Sequence, residues 1–165
     1  MALWGGRFSS DPSADVALLT ESISFDKRLY AHDIAGSKAH VAMLAGAGII
    51  PESTATAIRA ELDNIRKRIE EGDFSYDIAM EDIHMHIESA LIAKLGAEGA
   101  RVHSGRSRND QVALDIRLYL RDRVDFLTDA IRDLQCALVE RAAADPEAIL
   151  PGFTHLQHAQ VVCFA

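Results

Sequence analysis

The sequence predicts an all-α protein in which an N-terminal helical domain is followed by the first long helix of a central helical bundle. Apolar residues recur at intervals of three and four along most of the chain, as on one face of a helix. Glycine or proline separates these segments, and no alternating pattern is long enough to predict a strand. We expect the N-terminal domain to span residues 1–108 and the start of the bundle to span residues 109–165.

The composition excludes several classes of function. The 165 residues are 48% hydrophobic and 25% charged, as in ordinary globular proteins, and the net charge of −8 argues against binding nucleic acid. The six arginines of residues 101–123 have only one aromatic neighbour, Tyr119, where a nucleic-acid surface would interleave several. No apolar run suits a membrane span or signal peptide, and Cys136 and Cys163 have no metal or redox spacing. We expect a cytoplasmic protein without membrane or nucleic-acid partners.

Glycines delimit the predicted helices of the N-terminal domain. After an irregular arm, a helical pattern with room for one break runs from about residue 14 to Gly48. A second helix is predicted to start at a cap supplied by Ser53 or Thr54 and to end at Gly72. Its apolar residues recur at intervals of four, three and four: Ile58, Leu62, Ile65 and Ile69. A third helix is predicted from Glu81 to Leu95, with the stripe Ile83, Ile87 and Leu91.

The longest helical pattern runs from about residue 109 to residue 144 without glycine or proline. Its apolar stripe consists of Val112, Ile116, Leu120, Val124, Leu127, Ile131, Leu134 and Leu138. A helix of this length measures roughly 50 Å, more than the width of a domain this small. We therefore expect other helices, in a bundle or an oligomer, to cover the stripe. A polar loop and the start of a new helix are predicted after Pro146.

The most polar stretch, residues 103–111, carries one imidazole, two guanidinium groups, two hydroxyls, two amides and one carboxylate. Such a turn before a helix suits an anionic ligand. Arg106 and Arg108 flank Ser107, so both can point to one side, where one can hold a ligand carboxylate and the other brace the loop. Asn109 suits two roles equally well, a helix N-cap and a contact to substrate.

The histidines offer further candidates. His155 lies beside Thr154 in the second polar loop and can act as a general acid or base, although its position alone is also typical of a surface histidine. His84 and His86 are two residues apart on a predicted helix, so they face different ways and do not form a zinc pair. His84 shares a face with Glu88, which favours a structural pair, and no metal site is predicted.

Four motifs carry a resemblance to a known family. They occupy residues 3–8, 81–85, 105–111 and 151–157. In this order they resemble the argininosuccinate lyases, which belong to the fumarase/aspartase superfamily. The likeness covers essentially the whole chain. The first and third motifs favour this family over the adenylosuccinate lyases, the fumarases and the aspartases.

The resemblance implies a fumarase/aspartase-like fold and a carbon–nitrogen lyase of arginine biosynthesis. Such an enzyme cleaves argininosuccinate to arginine and fumarate by anti β-elimination, with no metal and no organic cofactor. It is a homotetramer around a central bundle of long helices, and each active site takes loops from three subunits.

The resemblance also implies roles for individual residues. His155 matches the histidine that is assigned an acid or base role in catalysis. The predicted substrate contacts are Ser22, Arg108, Asn109, Thr154 and, as a residue lining the active site, His84.

The sequence differs from the family pattern in two ways. The family usually has Arg and Pro where this chain has His158 and Val161, and the latter change is expected to alter the start of the following helix. The family's third conserved loop, with the serine regarded as the general base, has no counterpart here, so the 165 residues alone are expected to be inactive.

The alternative to a lyase is a non-catalytic structural or interaction protein, as in the lens crystallins derived from this family.

Overall fold

The computed structural model describes residues 13–164 of the chain. The motif over residues 3–8 and most of the irregular arm lie outside the described residues. The chain divides into two compact units, Met1–Tyr119 and Leu120–Ala165. The domain boundary expected at residue 108 stays a prediction.

Helices form all of the regular structure described in the first unit, and the last of them continues into the second. The α-helices are α1 (Ala14–Thr20), α2 (Ile23–Asp26), α3 (Tyr30–Gly46), α4 (Glu52–Glu70), α5 (Ile83–Leu95), α6 (Ala97–Ala100) and α7 (Arg108–Ala144). Short 3-10 helices occupy Lys27–Leu29, Ile78–Met80 and Arg101–His103. The predicted break in the first pattern occurs at Glu21, whose extended backbone ends α1. The amides of Ser22 and Ile23 bond instead to the carbonyl of Glu81.

Glycines end the helices where the sequence predicts it. Gly48, Gly72 and Gly96 have φ values of 71°, 76° and 62°, which a residue with a side chain rarely adopts. The predicted cap of α4 is wrong, because this helix begins at Glu52 after an extended Pro51 and has no side-chain cap. The hydroxyl of Thr54 donates to Glu98 instead, and so ties α4 to α6.

The hydrophobic core lies between α3, α4 and α5, with contributions from the segments beside them. It consists of Ile23, Leu29, Ile34, Val41, Leu44, Ile50, Ala55, Ile58, Leu62, Ile65, Ile83, Ile87, Leu91 and Val102. The predicted stripe of α5 is entirely buried, and three of the four stripe residues of α4 are fully buried with Ile69 packed beside them. These stripes are therefore confirmed.

The second unit contains most of α7 and a two-stranded antiparallel sheet. Strand β1 (Ile149–Thr154) pairs with β2 (Gln157–Cys163), so the predicted loop and new helix in this segment are wrong. His155 and Leu156 form the connecting turn, with φ values of 53° and 62°. Two consecutive residues of positive φ match the twist of a tight hairpin. Valine, isoleucine, threonine and phenylalanine are common in this segment and favour strands over helix.

Candidate functional site

Ser107 immediately precedes α7 and fixes the end of the loop that leads into this helix. Its Oγ accepts a hydrogen bond from the Asn109 backbone N–H at 3.2 Å, and its own N–H donates to Asp110 Oδ2 at 2.9 Å. This reciprocal pair caps the helix. The interpretation of Asn109 as the N-cap is therefore wrong, because Asn109 lies inside the first turn and is exposed. Its role as a substrate contact stays a prediction.

Arg106 braces the same loop against α3. Its side chain is 5% exposed, and its Nη1 donates to Ser37 Oγ at 2.9 Å. Its Nε lies 3.8 Å from Asp110 Oδ1, next to the cap. The guanidinium of Arg106 is thus used to hold the loop in place.

Arg108 has a different environment, at the first position of α7. Its Nη1 donates to Gln111 Oε1 at 2.7 Å and its Nη2 to Glu88 Oε2 at 3.0 Å. Its Nε lies 3.7 Å from Asp82 Oδ2, and 19% of the side chain is exposed. One amide and two carboxylates therefore hold the planar guanidinium in one orientation. Its predicted role, binding a substrate carboxylate, stays a prediction.

His84 lies in a buried cluster with two carboxyl groups. Its Nδ1 is 3.1 Å from Asp33 Oδ1 on α3 and 3.3 Å from Asp115 Oδ2 on α7. The exposed fractions of the His84, Asp33 and Asp115 side chains are 2%, 1% and 0%. The face of α5 that carries His84 and Glu88 is therefore packed against other helices rather than solvated. The role of His84 as a lining residue of the active site stays a prediction.

The members of this cluster shift one another's pKa values. Burial lowers the pKa of His84, but the hydrogen bond and charge of Asp33, with the other nearby carboxyls, raise it above its ordinary value. Burial raises the pKa of Asp33, but hydrogen bonds with His84 and Gln111 hold it below its ordinary value. Burial, followed by the charge of Asp33, raises the pKa of Asp115 to about 7. Near neutral pH, Asp33 is ionised and Asp115 carries a proton much of the time.

Ser22 is connected to the N-terminus of α5 through Asp26. Its Oγ donates to Asp26 Oδ2 at 2.6 Å, and Asp26 Oδ1 accepts a bond from the Ile83 backbone N–H at 3.1 Å. Burial raises the pKa of Asp26, although the bonds from Ser22 and Ile83 partly offset this effect. Asp26 thus connects Ser22 to the first turn of α5, and the contact of Ser22 with substrate stays a prediction.

Thr154 and His155 belong to the second unit, at the tip of the hairpin. Thr154 is the last residue of β1 and pairs with Gln157. His155 is exposed and occupies the left-handed backbone region, with φ of 53°. Non-glycine residues rarely adopt this conformation, and backbone strain of this kind clusters at functional sites. The catalytic role of His155 and the substrate contact of Thr154 stay predictions.

The first turn of α5 is the point where several predicted residues meet. Ser22 reaches it through Asp26, and Arg108 reaches it through Asp82, which also caps the helix by accepting a bond from the Met85 N–H at 2.6 Å. His84 is the second residue of the same helix. The structure therefore brings three segments of the sequence together at this helix end, whereas Thr154 and His155 lie in the other unit.

Sequence reasoning missed four polar residues that surround this position. They are Asp33, Glu88 as a partner of Arg108, Gln111 and Asp115. A signal was present on α3, where the buried stripe Asp33, Ser37, Val41 and Leu44 follows helical spacing. Two polar residues at regular core positions predict buried partners, since an unpaired buried carboxylate is costly.

A cleft of about 410 Å³ lies on another side of α5. It is lined by Glu61, Arg68, Phe74, Ser75, Met80, His86, Ser89, Ala90, Ala93 and Lys94. None of the predicted site residues lines it. The predicted site residues of the first unit therefore lie outside this cleft.

Comparison with known families places the chain in one of them. The family model described as Lyase matches residues 6–165. The chain therefore belongs to this lyase family, and the expected helical fold of the fumarase/aspartase superfamily is confirmed.

The names of individual relatives are more specific than the name of the family model. The chain is 53% identical over 162 residues to the argininosuccinate lyase of Thioalkalivibrio sulfidiphilus and 54% identical over 163 residues to that of Pelobacter propionicus. It is 50% identical over 161 residues to the argininosuccinate lyase of Saccharophagus degradans. The matches cover 98%, 99% and 98% of this chain but 35%, 36% and 34% of the relatives. The chain thus spans about a third of the length of these curated relatives.

Proposed function

We propose that this chain contributes to the active site of an argininosuccinate lyase, which cleaves argininosuccinate to arginine and fumarate by β-elimination. The observation that carries the proposal is identity of 50–54% to relatives named argininosuccinate lyase along nearly the whole chain. The convergence of Ser22, His84 and Arg108 on one helix end supports it. The alternative, a non-catalytic protein on the same scaffold, is not favoured by relatives with these names.

The proposed chemistry assigns a task to each group. Elimination gives a carbanion-like state whose charge spreads into a carboxylate, and fixed donors stabilise such charge. Arg108, Asn109, Ser22 and Thr154 are the proposed donors to the substrate, with His84 beside them. The carbon loses a proton and the departing nitrogen gains one, and the imidazole of His155 is the proposed acid or base for one of these two transfers. No step in this scheme requires a metal or an organic cofactor.

The proposed assembly is a homotetramer in which helices of several subunits form one bundle. The apolar stripe of α7 supports it, because seven of its eight residues are between 44% and 62% exposed. Contact with other subunits removes such surface from water. In this assembly, each active site takes loops from three subunits.

We further propose a cytoplasmic location without nucleic-acid or membrane partners. Cys136 and Cys163 are exposed free thiols, as a reducing compartment permits. Among residues 13–164, no helix combines the length and the apolar character needed to cross a membrane.

A chimeric enzyme tests the proposed activity. Residues 1–165 replace the matching part of the argininosuccinate lyase of Thioalkalivibrio sulfidiphilus, and fumarate release is followed by ultraviolet absorbance. We expect activity, and we expect His155→Asn to lower kcat roughly 10²–10⁴-fold, the usual effect of losing an acid–base group.

His158→Asn is the matched control, since His158 lies in the same hairpin three residues further on. We expect this variant to retain kcat. An inactive chimera, or equal kcat in the parent and in His155→Asn, would contradict the proposed function.

A further inference from the structure

The side chain of Gln111 joins a buried carboxylate to Arg108. Its Nε2 donates to Asp33 Oδ1, and its Oε1 accepts from Arg108 Nη1 at 2.7 Å. Gln111 is 5% exposed and Asp33 is 1% exposed, so water competes little for these bonds. The amide thus bridges α3 and the first residue of α7.

The charges at its two ends determine the orientation of this amide. A guanidinium has only donors, and an ionised carboxylate has only acceptors. The reversed amide would place its NH₂ group against Arg108 and its oxygen against Asp33, so both hydrogen bonds would be lost. The ionised form of Asp33 therefore dictates that an acceptor faces Arg108.

The surroundings of Asp33 keep it ionised. His84 Nδ1 lies 3.1 Å away, and the guanidinium of Arg106, which is 5% exposed, contributes further positive charge. Asp115 provides the competing carboxyl, whose oxygens accept no hydrogen bond within the described residues. A proton on Asp115 leaves the negative charge of the pair on Asp33.

The buried cluster of Asp33, His84 and Asp115 has no room for a ligand, so any effect on substrate passes through its neighbours. The cavity bordered by Asp33, His84, Arg106 and Gln111 has a volume of about 10 Å³, space for one water molecule. Asp33, His84 and Asp115 also have the spacing of metal ligands. The guanidinium of Arg106 already supplies positive charge near Asp33, and the amide of Gln111 already donates a hydrogen bond to it.

We propose that Asp33 and Gln111 are positioning residues that orient the guanidinium of Arg108 towards a carboxylate of the substrate. The proposal rests on the proposed function for its substrate, but the orientation itself is a property of this chain. Glu88 holds the second terminal nitrogen of Arg108 at 3.0 Å, so the Gln111 bond fixes the first. Loss of this bond removes one of the hydrogen bonds that hold the planar fork.

Nitrogen-15 NMR of the arginine side chains in the 165-residue chain tests the orientation. We expect slow rotation of the Arg108 Nη1 group in the parent, assigned by comparison with Arg108→Lys, and fast rotation in Gln111→Met. Glu61→Gln is the control, since Glu61 is a buried carboxylate that bonds to Asn64 instead. Fast rotation in the parent, or unchanged rotation in Gln111→Met, would overturn the proposal. Gln111→Leu serves as the second variant if Gln111→Met does not fold.

A double-mutant cycle in the chimera tests the consequence for substrate. We expect Gln111→Met to raise KM roughly tenfold, because a hydrogen bond to a charged group is lost. In an Arg108→Lys background the same change should have almost no further effect, since Gln111 acts through Arg108. Equal fold-changes in both backgrounds, or the same rise in Glu61→Gln, would overturn the proposal.

The two measurements separate this proposal from the proposed function. An inactive parental chimera contradicts the lyase assignment and with it the role towards substrate. The NMR signals of Arg108 still decide whether Gln111 orients the guanidinium.

Discussion

Asp115 shows how one buried residue changes the electrostatics of its neighbours. Its side chain is 0% exposed and lies 3.3 Å from His84 Nδ1, in the same cluster as Asp33. Two buried carboxyls this close together cannot both be ionised at low cost. Burial and the charge of Asp33 accordingly raise the pKa of Asp115 to about 7.

Replacing Asp115 with Asn should change how stability depends on pH. The pKa of Asp115 is raised from 3.8 to about 7 by folding, so folded protein holds a proton that unfolded chain releases. This stabilisation is fully present below pH 3.8, the ordinary pKa, and is lost as the pH rises from there through about 7. Over that range the free energy of unfolding falls by up to about 1.4 kcal/mol per pH unit. Relative to the parent, Asp115→Asn should therefore become more stable as pH rises.

Urea denaturation at several pH values between about 4 and 8 measures this difference. Asp129→Asn is the control, because the Asp129 side chain is 71% exposed. The pKa of Asp33 is lowered, so its contribution is lost only in more acidic solution. His84 has a raised pKa, so its contribution is lost above its ordinary value of 6.5; Asp33, the main cause of that rise, remains in the variant. Parallel stability curves for the parent and Asp115→Asn would contradict the prediction.

At the scale of elements, the close contact between α5 and α6 depends on Gly99. A Cβ atom at this position would lie 2.5 Å from the carbonyl oxygen of Leu91 and 2.7 Å from its carbon. These are backbone atoms of α5, so a side-chain rotation cannot relieve the clash. Gly46, at the end of α3, is also helical but has no atom within 4 Å of its Cβ position.

The pair Gly99→Ala and Gly46→Ala should therefore have opposite effects. We expect Gly99→Ala to lower the free energy of unfolding by about 1–3 kcal/mol, as for overpacked sites. Gly46→Ala should raise it by about 0.5–1 kcal/mol through better helix propensity. Urea titrations monitored by circular dichroism give both values. Similar changes in the two variants would show that α6 can shift away from α5 without cost.

At the scale of the whole molecule, the apolar stripe of α7 is the main surface left uncovered. Leu120, Val124, Leu127, Ile131, Leu134 and Leu138 are each more than half exposed. Full burial of such a side chain contributes roughly 1.5–3 kcal/mol, so each of these forgoes about half of that free energy. An apolar surface this long is unusual on a monomer.

The chain should consequently associate with itself in solution. Light scattering coupled to gel filtration should give a mass above 18.0 kDa that rises with concentration. Leu134→Glu should shift the distribution towards monomer, whereas Gln135→Glu adds the same charge beside the stripe and should not. A single species of 18.0 kDa at every concentration would mean that the stripe is satisfied within one chain.

The sequence by itself determined the helices and their buried stripes. Apolar spacing located α4, α5 and α7 and the buried stripes of α4 and α5, and glycines located the ends of α3, α4 and α5. These are local properties, because periodicity and backbone freedom act within a few residues. The four motifs were equally readable, since they lie in continuous stretches of the chain.

Only the tertiary structure decided which polar groups meet. The bonds of Asp33 to His84 and Gln111 join residues 51 and 78 positions apart, and such contacts depend on how three helices pack. The hairpin of residues 149–163 also escaped the sequence pattern, because pairing between strands supplies the hydrogen bonds that a single segment lacks. Long-range packing therefore placed Asp33 against the amide of Gln111, which in turn bonds to Arg108.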